Sequence, residues 1–369
     1  MPCKPGISSM SLGRCYANHI LSHKLAMASK YSLAGIEIFY EDLSDLARPP
    51  TRSNLLAAAR YIRTLCSSLS LSIICLQPFT HYEGLLDRSK HLERIEEMRL
   101  WIEIALELGT DLIQVPSSFL PAEQISGDVD LIVSDFLELS DLGFQHDPPM
   151  RFAYESLAWG THINKWEQCW DIVRRVDRSN VGICLDSFNI LGRIYADPAS
   201  PTGCTPHAEQ EVRESMARLV KEIKPHKEKI FFIQIVGAER LDEPLREEHR
   251  FWNEEQPARM SWSRNCRLFY GEEDRGAYLP VKDVAKAIIK DVGYEGWVSF
   301  ELYNRDMERR NEGVVEELAS RAARGWEKMV EDLDIEVERR PELRRKGSTS
   351  KDRLSQDYSS REAVEVARL

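Results

Sequence analysis

Four apolar runs in the second half of the sequence each close on a side chain that carries oxygen. Met150 to Glu155 (MRFAYE) ends in Glu155, Val181 to Asp186 (VGICLD) in Asp186 and Lys229 to Gln234 (KIFFIQ) in Gln234. The fourth, Trp297 to Leu302 (WVSFEL), follows the turn GYEG and delivers Glu301 at its end. A carboxylate at the end of a buried strand is costly unless it is paired or bound to a metal. Three carboxylates and one amide make an all-oxygen set, which suits a single Mg²⁺, Mn²⁺ or Co²⁺ better than a Cys/His zinc site. Any one of these residues alone could equally cap its strand or bond a loop amide. As a set at four strand ends they read as a divalent-metal centre, with Glu155 and Glu301 as candidate proton carriers.

Other polar residues sit where they could meet a substrate. Gln77 (in LQPF) and, more weakly, Gln114 lie at strand ends, where either could instead bond backbone. Ser187 and Asn189 follow Asp186 in LDSFNI and could bind substrate or satisfy a turn. Ser263, Arg264 and Arg267 lie in MSWSRNCRLFYGE, and an arginine fork matches a carboxylate; a surface ion pair is the plainer account. The flanking Trp262, Leu268, Phe269 and Tyr270 argue that this stretch packs inward. Glu41 and the loop histidines His81, His162, His207 and His249 are further acid/base candidates, each also explicable as a solvated side chain. Trp166 and Trp170 are spaced for packing on one helix face.

The elements that position these residues alternate. Strands are expected at Ile7–Leu12, Leu33–Phe39, Leu71–Gln77, Asp111–Val115 and the four runs above. Helices are expected at Ser22–Tyr31, Asn54–Leu69, Asp87–Leu108 (capped by Asp87, stopped by Gly109), Ala122–Leu142, Asn164–Val176, Pro206–Ile223, Val281–Val292 and Val314–Met329. Eight strand–helix units allow a closed (β/α)8 TIM barrel, an α/β fold. The competing doubly wound sheet lacks its phosphate loop, since neither GxGxxG nor GxxxxGK occurs. Residues 237–280 form a connection too long for ordinary barrel loops and read as a lid or wall. The catalytic domain is expected over residues 1–335, and the charged, serine-rich stretch from about Glu336 reads as a disordered tail.

A chain of 369 residues, 43% of them hydrophobic, can bury a large core. The formal net charge of −11 argues against a nucleic-acid groove. No apolar run reaches about 18 residues, the length of a spanning helix, and no signal-peptide core is evident. The eight cysteines form no CxxC pair. A soluble, cytoplasmic protein acting on a small molecule is expected, with no membrane or nucleic-acid partner; a homo-oligomer is compatible with the sequence.

The segments SMSLGRCYA, GIEIFYEDL, CLQPF, YEGLLDR, CLDSFNI, QPARMSWSRNCRLFYGEEDRGAYLPV and GYEGWVSFELYNR resemble the fungal 3-dehydroshikimate dehydratases of quinate catabolism. That family lies within the xylose isomerase-like, sugar phosphate isomerase/epimerase barrels. The resemblance covers about residues 5–330 and implies metal-dependent loss of water from 3-dehydroshikimate to give protocatechuate. It implies Glu155, Asp186, Gln234 and Glu301 as metal ligands. Ser263 and Arg267 would be substrate contacts, Arg267 holding the ring carboxylate. Where bacterial relatives carry histidines, this chain has Leu157 and Asn189, so the identity of the general base does not carry over. The chain also ends before the dioxygenase-like domain fused to some bacterial members. The alternative is a sugar or hydroxyacid isomerase on the same barrel.

Overall fold

The computed structural model describes residues 2–337. Eight parallel strands close into a barrel: β1 (Lys4–Ser8), β2 (Gly35–Phe39), β3 (Ser72–Gln77), β4 (Leu112–Pro116), β5 (Arg151–Glu155), β6 (Val181–Asp186), β7 (Ile230–Gln234) and β10 (Trp297–Phe300), with β10 pairing both β7 and β1. Their near-continuous apolar sequences follow from burial on both faces, inward on the barrel core and outward on a ring of helices. Ile74, Cys75, Leu112, Ala153, Cys184 and Phe232 fill the inside below the site. Gly6 and Gly35 pair across β1 and β2 because the Ile74 side chain fills the space; a Cβ on them would stand 2.5 and 2.9 Å from its Cδ1. The (β/α)8 expectation therefore holds.

Three of the differences from expectation have a clear local reason. The first strand ends at Ser8, and Ser9–Leu12 form a 3-10 turn. Here the serine hydroxyls bond elsewhere: Ser9 Oγ donates to Asp42 and accepts from the Phe39 amide, while Ser11 Oγ bonds both backbone groups of Leu302. Helix α5 (Val129–Gly143) starts seven residues later than Ala122, where Asp128 accepts from the Asp130 amide. An eight-residue helix, α7 (Ser187–Ile194), follows β6 directly, with Asp186 as its N-cap accepting from the Phe188 amide at 2.6 Å.

The long connection after β7 is built, not loose. Strand β8 (Gly237–Ala238) pairs antiparallel with β9 (Arg267–Leu268), and helix α9 (Ala258–Cys266) lies between them. Its far end is held by Arg321 on α11 (Val314–Leu333), whose guanidinium forks onto Glu272 at 2.7 and 2.9 Å. The tail expected from about Glu336 lies, from residue 338 on, outside the described residues.

Glu83, in the loop after β3, ties neighbouring loops together. Its Oε1 accepts from the Ser118 amide at 2.6 Å and the Tyr154 hydroxyl at 3.2 Å, and Oε2 has no partner among the described residues. Burial lifts this carboxyl from 4.5 to about 7. The folded chain thus holds the proton more tightly than the unfolded chain, so stability is highest below the unfolded value and falls as pH rises towards 7. Glu83→Gln should flatten that decline, so thermal midpoints across about pH 5 to 7.5 should separate the variant from the parent. Parallel profiles would show that Glu83 does not carry the proton.

Candidate active site

The site lies at the C-terminal ends of the strands, where barrel enzymes place their chemistry. Glu155 is the last residue of β5, Asp186 the last of β6 and Gln234 the last of β7, while Glu301 follows β10 directly. Parallel register sets Asp186 beside Gln234. Glu155, Asp186 and Glu301 are 2%, 2% and 5% exposed, and each offers an oxygen within 4.8 Å of the others.

One cation faces this cluster. Arg267, at the start of β9, places Nη1 2.8 Å from Asp186 Oδ2 and 3.1 Å from Glu301 Oε2, and its Nε donates to Ser263 Oγ at 3.0 Å. The guanidinium is held between the rings of Phe188 at 4.2 Å and Tyr303 at 5.1 Å. Its Nη2 makes no hydrogen bond among the described residues. Three buried carboxylates against one guanidinium leave an excess of negative charge. Burial, with the Glu301 and Asp186 charges added, holds Glu155 well above the carboxylate range. Burial also raises Glu301 to about 7 against the pull of Arg267. A divalent cation would relieve this excess, and an all-oxygen donor set is the right chemistry for one; the residues fit a metal.

Neighbouring amides orient the triad. Asn189 Nδ2 donates to Glu155 Oε1 at 2.8 Å and Asp186 Oδ2 at 3.0 Å, while Gln114 Nε2 donates to Glu155 Oε2 at 2.7 Å. Ser187 Oγ bonds both backbone groups of Val236, a structural role. Above the triad opens a cavity of about 590 Å³. Glu155, Glu301, Arg267, Ser263, Arg264 and Gln114 reach its wall, as do Tyr303 and the apolar Phe39, Leu157 and Trp159. Arg264 is exposed there, and its side chain has no hydrogen bond or ion pair among the described residues.

The remaining candidates lie off the wall. Gln77 is fully buried and donates to Glu37 at 2.8 Å. Asp186, Gln234 and Asn189 stand behind it. Glu41 lies in α2 (Tyr40–Leu46) and pairs with Arg14 at 3.0 Å. His81, His162, His207 and His249 do not reach the cavity either; His249 Nδ1, for instance, accepts from the Phe251 amide. Two residues escaped the sequence reading. Glu37 is a carboxylate inside an apolar strand, and Tyr303 is the second residue beyond Glu301. Strand alternation in GIEIF, which turns Glu37 inward between Ile36 and Ile38, was the available signal for the first.

A closed parallel barrel with a buried acidic cluster at its C-terminal end defines the class, and the family model described as xylose isomerase-like TIM barrel matches residues 25–324. The chain belongs to that family. Within it, the chain is 57% identical over 348 residues to a Neurospora crassa protein named 3-dehydroshikimate dehydratase, covering 92% of this chain and 96% of that one, and so belongs with the 3-dehydroshikimate dehydratases. A Pseudomonas aeruginosa protein of the same name is 31% identical over 286 residues, 77% of this chain but only 36% of that protein. A solved xylose isomerase-like TIM barrel/4-hydroxyphenylpyruvate dioxygenase fusion protein superposes with a TM-score of 0.69 at 26% identity, covering 90% of this chain and 44% of that one.

Proposed function

We propose that this protein is a divalent-cation-dependent 3-dehydroshikimate dehydratase that forms protocatechuate in quinate catabolism. The observation that carries this reading is the 57% identity to the Neurospora crassa dehydratase over 96% of that protein's length. It favours the dehydratase over an isomerase on the same barrel. The eight unpaired cysteines fit a cytoplasmic location.

The substrate carries a ring carboxylate, a ketone, a hydroxyl on the adjacent carbon and a second hydroxyl one carbon further. Glu155, Asp186, Gln234 and Glu301 would hold one Mg²⁺, Mn²⁺ or Co²⁺. That cation would supply Lewis acidity towards the ketone and its neighbouring oxygen. The carboxylate pair Glu155 and Glu301 moves the proton. Both Glu155 oxygens already accept hydrogen bonds from Gln114 and Asn189, and Glu301, at the cavity wall, would take the proton from the carbon between ketone and β-hydroxyl. The β-hydroxyl then leaves with a proton as water, and loss of one further ring proton, matched by protonation of the former ketone oxygen, completes the aromatic product.

Arg267 Nη2 and Arg264 are the groups that would meet the ring carboxylate, Arg267 fixed by Ser263 and the two rings and Arg264 open to the cavity. A charge-assisted hydrogen bond contributes about 1.5–3 kcal/mol. Arg264→Met is therefore expected to raise KM roughly 10- to 100-fold with a smaller change in kcat. An unchanged KM would remove Arg264 from carboxylate binding. The reading as a whole is tested by supplying 3-dehydroshikimate and a panel of ketoses to the metal-loaded protein and identifying products by chromatography. Protocatechuate alone is expected; isomerised ketose without protocatechuate would overturn it.

A further inference from the structure

Glu37 is fully buried in the middle of β2 and does not line the cavity. Its Oε2 accepts from Gln77 Nε2 and from Gln234 Nε2, each at 2.8 Å. Its Oε1 accepts from Ser299 Oγ, and the Cys75 thiol lies 3.8 Å from Oε2. Side chains from β3, β7 and β10 thus converge on one carboxylate of β2. A buried carboxylate that reaches neither solvent nor cavity is expensive, and a well-packed apolar residue would serve stability as well. Its retention calls for another role.

The amide geometry supplies one. An amide has a donor end and an acceptor end, and an oxygen that accepts from it fixes which end points where. With its NH2 held by Glu37, Gln234 turns its carbonyl oxygen to the β6 side, where it lies 3.7 Å from Cys184 Sγ, on the strand that carries Asp186. Gln77 is held the same way, and its carbonyl oxygen is buried with no partner among the described residues. Reversing the Gln234 amide would present NH2, a donor that cannot ligate a cation.

We infer that Glu37 is a positioning residue for the metal centre: it locks the Gln234 amide so that the carbonyl oxygen, and not the NH2 group, serves the cation held with Glu155, Asp186 and Glu301. This rests on the reading of Gln234 as a ligand. Glu37 acts through Gln234 and never meets the substrate. It is the kind of outer partner that sets the orientation of a metal ligand.

The test is direct Mn²⁺ binding to the metal-stripped full chain, by calorimetry or by loss of the free-ion electron paramagnetic signal, with folding of each variant checked by thermal melting. Glu37→Met removes the acceptor and should weaken Mn²⁺ binding roughly 10- to 100-fold. Glu37→Gln keeps a carbonyl oxygen for the two amides and an NH2 for Ser299, and should bind close to wild type. In a Gln234→Ala background, Glu37→Met should add almost nothing, because the group it acts through is gone. Equal weakening in both backgrounds, or none in either, would overturn the inference while leaving the metal centre standing. Failure of the wild-type chain to bind Mn²⁺ would sink the metal reading itself. If the methionine variant does not fold, the exchanged pair Glu37→Gln/Gln234→Glu keeps composition and charge and places oxygen at both ends of position 234. It should bind Mn²⁺ at least as tightly as wild type, and weaker binding would contradict the lock.

Discussion

Glu301→Gln should lower dehydration of 3-dehydroshikimate by about 10³-fold or more while leaving the metal-free fold intact. Two losses combine at this position. A well-placed general base contributes about 10²- to 10⁴-fold, and weakened charge stabilisation by the metal adds several kcal/mol. Glutamine preserves the shape that packs at the end of β10 and keeps an oxygen for Arg267. It also removes one of three crowded carboxylates, two of which are held above their ordinary range by burial. The metal-free variant is therefore expected to melt at the same temperature as the parent or higher. Loss of activity together with retained or increased stability is the mark of a residue kept for chemistry at a cost to the fold. A variant that keeps most of its turnover would remove Glu301 from the proton path, and one that loses activity by unfolding would recast it as structural.

Arg267→Met is expected to act in the opposite sense on stability and in the same sense on rate. The guanidinium is 1% exposed, clasped by two aromatic rings and bonded to Asp186 and Glu301. Methionine fills much of the volume but leaves the carboxylate cluster without its internal countercharge. Breaking a buried pair from one side typically costs about 3–5 kcal/mol. Activity should fall with it, because the edge of the guanidinium that faces the cavity goes too. Adding Mn²⁺ should return part of the lost stability, since an ion that binds only the folded chain stabilises it by mass action and here also replaces the missing charge. Melting curves with and without Mn²⁺ check this. A variant as stable as the parent, with no larger response to metal, would show that the cluster is not a charge centre balanced by Arg267.

How far the sequence could be read follows from what each feature depends on. Strands such as VGICLD and KIFFIQ were legible because burial on both faces imposes an apolar run, and a polar residue closing such a run stands out. Closure of the barrel followed from counting units, since eight parallel strands with helices between them have few other ways to bury their edges. The serine run at Ser8–Ser11 misled because hydroxyls that bond Asp42, Phe39 and Leu302 draw the chain out of the ladder, and those partners are distant in sequence. Helix α7 is hidden in the sequence because LDSFNI is short and reads as a turn, and nothing in it shows that Asp186 serves two roles at once: Oδ1 caps the helix while Oδ2 faces Arg267. The bond from Arg267 Nη1 to Asp186 spans 81 residues and depends on the fold of the long connection, which no local pattern fixes. Glu37 was overlooked because a strand of otherwise apolar residues invites a structural reading.

The most direct test of the central claim strips the protein of metal and supplies 3-dehydroshikimate, following the catechol ultraviolet absorbance of protocatechuate before and after Mg²⁺, Mn²⁺ or Co²⁺ is added, with Asp186→Asn run alongside. The account predicts no product without metal, rapid product once a divalent ion is restored to the wild type, and little or none from Asp186→Asn. Undiminished turnover by the stripped protein, or full activity in Asp186→Asn, would contradict it.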